Sequence, residues 1–139
     1  MAVNIKADTA KVVQERSVRL SMAERIRFWI PVALCMGITF YASSIPGKDI
    51  PPLFPYKEIV YHFFIYLALA FFFCRALKNT RVQMTFARAV LITLFFILLY
   101  GLSDEFHQLF TPKRSASGFD LLIDSLGGFL GSVLYPWLR

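Results

Sequence analysis

Four stretches of the chain are almost continuously apolar, and shorter polar segments separate them. They cover residues 28–44, 59–77, 87–109 and 119–138. A helix needs about 20 residues to cross a hydrocarbon core of about 30 Å, and the stretches are close to that length. Open strands leave backbone groups unpaired in lipid, and four apolar stretches are too few to close a barrel. The pattern therefore predicts an all-α integral membrane protein, folded as a compact four-helix transmembrane bundle.

The segment before the first apolar stretch carries signals of its own. Ser21 and Glu24 have the spacing of a capping box, which allows the helix to begin a turn before residue 28. We divide the chain into a cytoplasmic N-terminal segment, residues 1–27, and a membrane domain, residues 28–139. Residues 6–26 form either an amphipathic helix on the membrane surface or a frayed tail. A cleaved signal peptide is a competing interpretation of the first stretch, although three further apolar stretches follow it.

The composition agrees with a membrane protein and excludes other classes. Of the 139 residues, 57% are hydrophobic and 17% aromatic, and the mean hydropathy is +0.56. Four spans use nearly everything after residue 27, so there is no room for a separate soluble domain. The net charge of +6 is typical of nucleic-acid binding as well, but the basic residues flank apolar stretches, so we expect no nucleic-acid partner. Cys35 and Cys74 lie in apolar stretches and do not indicate a disulfide framework.

Lysine and arginine are distributed unevenly among the polar segments, and this predicts the orientation. Cytoplasmic segments of membrane proteins are enriched in these residues. Three segments are rich in them: the N-terminus, the connection between the second and third stretches, and the C-terminus. Their basic residues are Lys6, Lys11, Arg16, Arg19, Arg25, Arg27, Arg75, Lys78, Arg81, Arg88 and Arg139. The other two connections hold Lys48, Lys57, Lys113 and Arg114. Both termini are therefore predicted to lie inside, and residues 45–58 and 110–118 outside.

Titratable and polar residues are concentrated where the predicted helices reach the outer face. They are Ser43, Ser44, His62, Asp104, Glu105, His107, Gln108, Asp120 and Asp124, with Arg114 in a connection. Ionisable groups within membrane helices are costly and usually serve a function. Asp124, Gly127 and Gly131 also lie on one stripe of the fourth helix, and this glycine spacing lets a neighbouring backbone approach closely. The sequence thus predicts an outward-facing polar and acidic pocket.

Most of these residues also have a purely structural interpretation. Ser117 and Asp120 have capping-box spacing at the start of a helix, and His62 lies one turn after Glu58 and can pair with it. Ser43 and Ser44 can form the polar end of a span. The remaining structural interpretations are ion pairs of Asp104 and Glu105 with Lys113 and Arg114, and interfacial anchoring by Tyr41, Tyr61, Tyr66 and Tyr100. None of them accounts for the clustering at one face.

Three segments give the chain a resemblance to a known family. They are Phe40–Ser44, the segment from His62 to Leu77, and above all Tyr100–Ser117 with Asp120, Asp124 and Gly127 behind it. Over about residues 28–135, the chain resembles the VanZ-like family of small bacterial membrane proteins. The series Asp-Glu-x-His-Gln, Pro-x-Arg, Asp, Asp and Gly is long and specific. The resemblance implies a place in the bacterial inner membrane, and the namesake of the family is associated with low-level resistance to the glycopeptide teicoplanin.

Two functions fit these residues. In the first, the pocket binds a lipid head group, a cell-wall precursor or a partner protein, and thereby changes envelope properties such as glycopeptide susceptibility. In the second, the protein is a hydrolase or transferase acting on a lipid-linked substrate, with Glu105 as base and His62 or His107 as acid. Asp104, His107 and His62 with a further carboxylate match a metal site only loosely, so we expect no metal and no cofactor. The expected partners are membrane lipids, and a homo-oligomer remains open.

Overall fold

The computed structural model describes residues 20–47, 56–81 and 83–137, and within these ranges the chain is helical and contains no strand. Four helices follow one another: α1 over Met22–Ser44, α2 over Lys57–Thr80, α3 over Phe86–Gln108 and α4 over Gly118–Leu134. The all-α prediction is confirmed. Of the segment predicted as an amphipathic helix, residues 6–19 lie outside the described residues, and residues 22–26 belong to α1.

At the starts of α1, α3 and α4, side chains bond the first free N–H groups, whereas α2 begins after Tyr56 without a side-chain cap. Ser21 and Glu24 form the predicted capping box, with Glu24 N to Ser21 Oγ at 3.2 Å and Ser21 N to Glu24 Oε2 at 2.9 Å. This explains why α1 begins at Met22, six residues before the apolar stretch. Thr85 caps α3 and Ser117 caps α4 in the same way. Pro31 lies within α1 without ending it.

Three of the helices, α1, α2 and α3, are long and apolar enough to cross a membrane. α4 has 17 residues and ends at Leu134. Residues 135–137 form a turn, although the apolar stretch predicts a helix up to residue 138, which lies outside the described residues. The outer surface of the three long helices is apolar, as Leu34, Phe95 and Phe106 show with 60%, 63% and 63% of their surface exposed. Asp124 is fully buried. Such a distribution is the reverse of that in water-soluble proteins and suits a lipid surrounding.

The helices alternate in direction, and α2 packs against the other three. Tyr66, Leu69 and Ile97 fill the centre of the core, and the rings of Phe73 and Phe96 stack at 4.1 Å. α2 and α4 approach each other closely at two glycines, since a Cβ atom at Gly127 would lie 2.5 Å from the carbonyl oxygen of Phe63. Gly131 faces the carbonyl oxygen of Leu67 in the same manner. The close approach predicted from the glycine spacing is therefore confirmed.

The two ends of this packed unit differ in chemistry. At one end, α1 and α3 begin and α2 ends, and there the guanidinium of Arg25 donates to the carbonyl oxygen of Thr80 at 3.0 Å. Lys78 and Arg88 lie at this basic end too. At the opposite end, α1 and α3 end and α2 and α4 begin. We call that second end the polar end, since it holds the histidines and the buried carboxylates.

Candidate functional site at the polar end

Asp104 and Glu105 are adjacent in α3, yet their carboxylates serve different helices. Successive residues of a helix point about 100° apart, so the first carboxylate reaches α1 and the second reaches the start of α4. Both side chains are buried, with 4% and 7% of their surface exposed. The polar end is thus built around the last turn of α3.

The Asp104 carboxylate is bound by neutral donors. The hydroxyl of Ser43, at the end of α1, donates to Asp104 Oδ1 at 2.5 Å. The amide of Gln108, one turn further along α3, donates to Oδ2 at 3.3 Å. Ser43 and Gln108 are also buried. The predicted residues Ser43, Asp104 and Gln108 therefore form one hydrogen-bonded group between α1 and α3.

His62 and Asp124 join α2 to α4. The Nδ1 atom of His62 lies 2.9 Å from Oδ1 of Asp124, and the aspartate has no exposed surface. The helix-surface pairing of His62 with Glu58 is not what the structure shows, because the Glu58 carboxylate lies 3.9 Å from the Arg114 guanidinium instead. A buried aspartate that accepts from an imidazole fixes the orientation of the ring.

Glu105 accepts a hydrogen bond from the backbone N–H of Ser117, with Oε2 at 2.6 Å. The hydroxyl of Ser117 accepts from the backbone N–H groups of Phe119 and Asp120. Ser117 therefore caps α4 as predicted, but the predicted capping box with Asp120 is not formed, because Glu105 accepts from the Ser117 N–H in its place. Asp120 is half-buried in the first turn of α4, where the helix dipole stabilises a carboxylate.

The connection between α3 and α4 is bonded to the end of α1. Arg114 donates from Nε to the carbonyl oxygen of Ile45 at 3.3 Å and from Nη2 to that of Ala42 at 3.1 Å. Thr111 donates to the carbonyl oxygen of Ser43. The Arg114 guanidinium thus bonds two carbonyl oxygens and lies near Glu58. Among the described residues, the ion pairs that the sequence suggests between this arginine and Asp104 or Glu105 are not formed.

Ser44 and His107 form a separate, more exposed group. The Ser44 hydroxyl lies 3.0 Å from Nε2 of His107 and also donates to the carbonyl oxygen of Phe40 in its own helix. The His107 ring stacks on that of Phe40, with centroids 4.6 Å apart. His107 is thus placed against α1, whereas His62 is placed against α4.

A cavity of about 240 Å³ opens between these elements. Its polar lining comes from α1, α2, α3 and the connection before α4, and its remaining lining is apolar. The lining residues are Thr39, Ala42, Ser43, Ile45, Glu58, Tyr61, His62, Ile65, Asp104 and Arg114. Of the predicted binding residues, Ser43, His62, Asp104 and Arg114 line it, while Glu105 and Asp124 belong to the buried group next to His62.

Three buried polar atoms have no hydrogen-bond partner among the described residues: Glu105 Oε1, Asp124 Oδ2 and the Tyr66 hydroxyl. The first two belong to a group of three residues, His62, Glu105 and Asp124, whose possible ligand atoms lie within 4.8 Å of one another.

Sequence reasoning missed the place of Tyr66, which is fully buried and stacks near His62 at 6.1 Å rather than anchoring at the membrane surface. The spacing of four residues between Tyr66 and His62 was the signal for a shared helix face.

Of three comparisons with known proteins, one gives a match. A model of the family described as VanZ/LLP1 matches residues 28–139. Searches of curated proteins and of solved structures find no match. The matched range contains all four helices except the first turns of α1, and it contains every residue of the polar end described above.

Proposed function

Because the chain belongs to the VanZ/LLP1 family, we propose that it is a bacterial inner-membrane protein whose polar end binds the phosphate-bearing head group of an envelope lipid or of a lipid-linked cell-wall precursor. The membrane character rests on the family and on three helices long enough to span a bilayer. The binding role is carried by one observation, the cavity at the polar end.

The surroundings of the cavity suit the head group of a lipid. Its volume of about 240 Å³ is somewhat smaller than the roughly 300–1,000 Å³ of pockets that enclose a drug-sized ligand. Apolar helix surface surrounds it, so the acyl chains of a bound lipid remain in the bilayer while the head group enters. Exposed apolar side chains on α1 and α2 near the opening, such as Phe40 and Tyr61, agree with this arrangement.

Arg114 is the residue best suited to a phosphate group. A guanidinium carries five N–H donors in a planar fork that matches phosphate and carboxylate oxygens. Two of its nitrogen atoms bond carbonyl oxygens of the chain, and the third, Nη1, is 3.9 Å from Glu58. That distance is too long for a strong hydrogen bond, so the donors on Nη1 are suited to a ligand. Glu58 and Asp104 in the same lining favour a head group that also carries an amine.

The charge bias supports an outward-facing cavity. Arg25, Lys78 and Arg88 lie at the end opposite to the polar end, and basic residues favour the cytoplasmic side. With both termini inside and α4 as a fourth span, the cavity faces the cell wall. A protein that holds a cell-wall precursor there changes the amount of precursor that is accessible to glycopeptide antibiotics. This effect is measured by comparing the teicoplanin susceptibility of cells with and without the gene.

A second candidate is a hydrolase or transferase on a lipid-linked substrate. It is favoured by the pairing of His62 with the buried Asp124, because a carboxylate-oriented imidazole beside a cavity is suited to proton transfer. In this alternative Glu105 acts as base. His107 is less suited than His62 because its ring lies against α1, away from the Glu105 and Asp124 group.

Native mass spectrometry of the detergent-purified protein separates the two candidates. We expect a co-purifying phospholipid or lipid-linked precursor, lost in Arg114→Ala and retained in the matched control Arg88→Ala, whose side chain is exposed at the basic end. A bound lipid that is unaffected by Arg114→Ala contradicts the binding proposal. Product formed from an envelope lipid by the wild type, reduced by about 10²-fold or more in Glu105→Gln, establishes the enzyme instead.

A further inference from the structure

His62, Glu105 and Asp124 come from three different helices, α2, α3 and α4, and converge on one point at the polar end. Each offers one ligand atom, and these atoms lie within 4.8 Å of one another. Ligands bound tetrahedrally to one metal at about 2.1 Å lie about 3.4 Å apart. Movements of up to about 1.4 Å, which side-chain rotation can supply, therefore bring all three donors into bonding distance of one ion.

The unpartnered atoms are a second, independent sign of a ligand. Glu105 Oε1 and Asp124 Oδ2 are buried acceptors without a donor, in side chains with 7% and 0% of their surface exposed. The other oxygen of each carboxylate has a partner: Glu105 Oε2 accepts from Ser117 N–H, and Asp124 Oδ1 is bonded to His62. Buried polar atoms are nearly always satisfied, so two orphaned carboxylate oxygens in one group require an explanation. A cation supplies what both lack.

The charge balance favours the same conclusion. With His62 in the neutral form that binds metals, the two buried carboxylates carry a charge of −2, and burying such charge without compensation is very costly. Arg114, the nearby guanidinium, bonds Ile45 and Ala42. A single divalent cation neutralises the two carboxylates and leaves the imidazole neutral, which is the form that binds metals.

We infer that His62, Glu105 and Asp124 form a binding site for a divalent first-row metal ion. One imidazole nitrogen and two carboxylate oxygens form a mixed donor set that suits Zn²⁺ and Mn²⁺ better than a set of oxygens alone. From the sequence we expect no metal, and the loose set that it offers, Asp104, His107 and His62 with a further carboxylate, names only His62 of these three. The site does not require the cavity to bind a lipid, although His62 belongs to both.

The test uses the full chain purified without a histidine tag, stripped with a chelator and dialysed. ZnCl₂ or MnCl₂ alone is then titrated by calorimetry, and Mn²⁺ binding is followed independently by loss of the free-ion signal in electron paramagnetic resonance. We expect one ion per chain and a higher thermal unfolding midpoint in the loaded protein. Wild-type protein that binds neither ion stoichiometrically overturns the inference, and this outcome does not depend on any variant.

Matched variants locate the site. Glu105→Gln and Asp124→Asn remove one ligand charge each at almost constant volume, and His62→Gln removes the imidazole. Each is expected to abolish stoichiometric binding. Glu58→Gln and His107→Gln serve as controls, because they change the same residue types at the polar end outside the group of three. Binding that survives all three ligand variants, or that is lost in the controls, places the ion elsewhere and contradicts the assignment.

Discussion

Glu105 and Ser117 cap α4 together, although they belong to different parts of the chain. The Ser117 hydroxyl bonds the first N–H groups of the helix, and the Ser117 N–H is bonded by the Glu105 carboxylate at 2.6 Å. In a capping box, that N–H is bonded by the third residue of the same helix, which here is Asp120. The start of α4 is therefore fixed to the end of α3, and with it the position of Asp124, one turn after Asp120.

Removing this hydrogen bond tests how far it stabilises the fold. We expect Glu105→Gln to keep the fold, because the amide oxygen of glutamine still accepts from Ser117. Glu105→Ala leaves the N–H without this partner and is expected to lower the free energy of unfolding by about 1–3 kcal/mol. Thermal unfolding in detergent, followed by circular dichroism, measures the difference. Equal stability of Glu105→Ala and the wild type contradicts the role assigned to the bond.

Two adjacent serines provide a matched pair for the polar end. Ser43 is buried and donates to the Asp104 carboxylate, whereas Ser44 is exposed. Ser43→Ala is expected to cost about 1.5–3 kcal/mol, because a hydrogen bond to a charged group is lost inside the protein. Ser44→Ala is expected to change the stability by less than about 0.5 kcal/mol. Chemical unfolding in mixed detergent gives both values, and a larger effect at Ser44 refutes this ranking.

The contact between α2 and α4 depends on the absence of side chains. A Cβ atom at Gly131 would collide with the carbonyl oxygen of Leu67, while one at Gly37, on the outside of α1, would meet nothing within 4 Å. Gly131→Ala is therefore expected to destabilise the protein by about 1–3 kcal/mol. Gly37→Ala is expected to be neutral or slightly stabilising, since alanine favours helices. Thermal unfolding midpoints of the two variants compare them directly, and a stable Gly131→Ala protein shows that the helices can separate freely.

The membrane orientation is testable with reporter fusions. Fusions after Ile50, Thr80 and Ser115 are expected to place the first and third reporters outside and the second inside. The expectation follows from the charge bias together with the length of the apolar stretches. A phosphatase reporter, active only outside, and a fluorescent protein, fluorescent only inside, give opposite signals at each position. An inward reporter after Ser115 shows that the polar end does not face the cell wall.

The sequence predicted which end of the molecule carries the site but not how its residues pair. Alternating directions of the helices bring Ser43, His62, Asp104 and Asp124 together whatever the rotation of each helix. The partners depend on rotation, and α3 is apolar around almost its whole circumference, so the pattern does not show which side of it faces α1 or α4. The sequence therefore indicates Lys113 and Arg114, which follow closely, as ion-pair partners of Glu105. Its actual partner is a backbone group, which no pattern of side chains reveals.

The glycines of α4 also determine the position of α4 along α2, and with it the geometry of the polar end. Phe63 and Leu67 of α2 are one turn apart, as are Gly127 and Gly131, so each glycine receives one carbonyl oxygen. Sliding α4 along α2 by one turn displaces it by about 5.4 Å. Asp124 would then leave His62, which it now approaches to 2.9 Å. The position of α4 along α2, which Gly127 and Gly131 determine, thus decides whether His62 and Asp124 meet. Substitutions at these glycines are therefore expected to disrupt the polar end without touching its side chains.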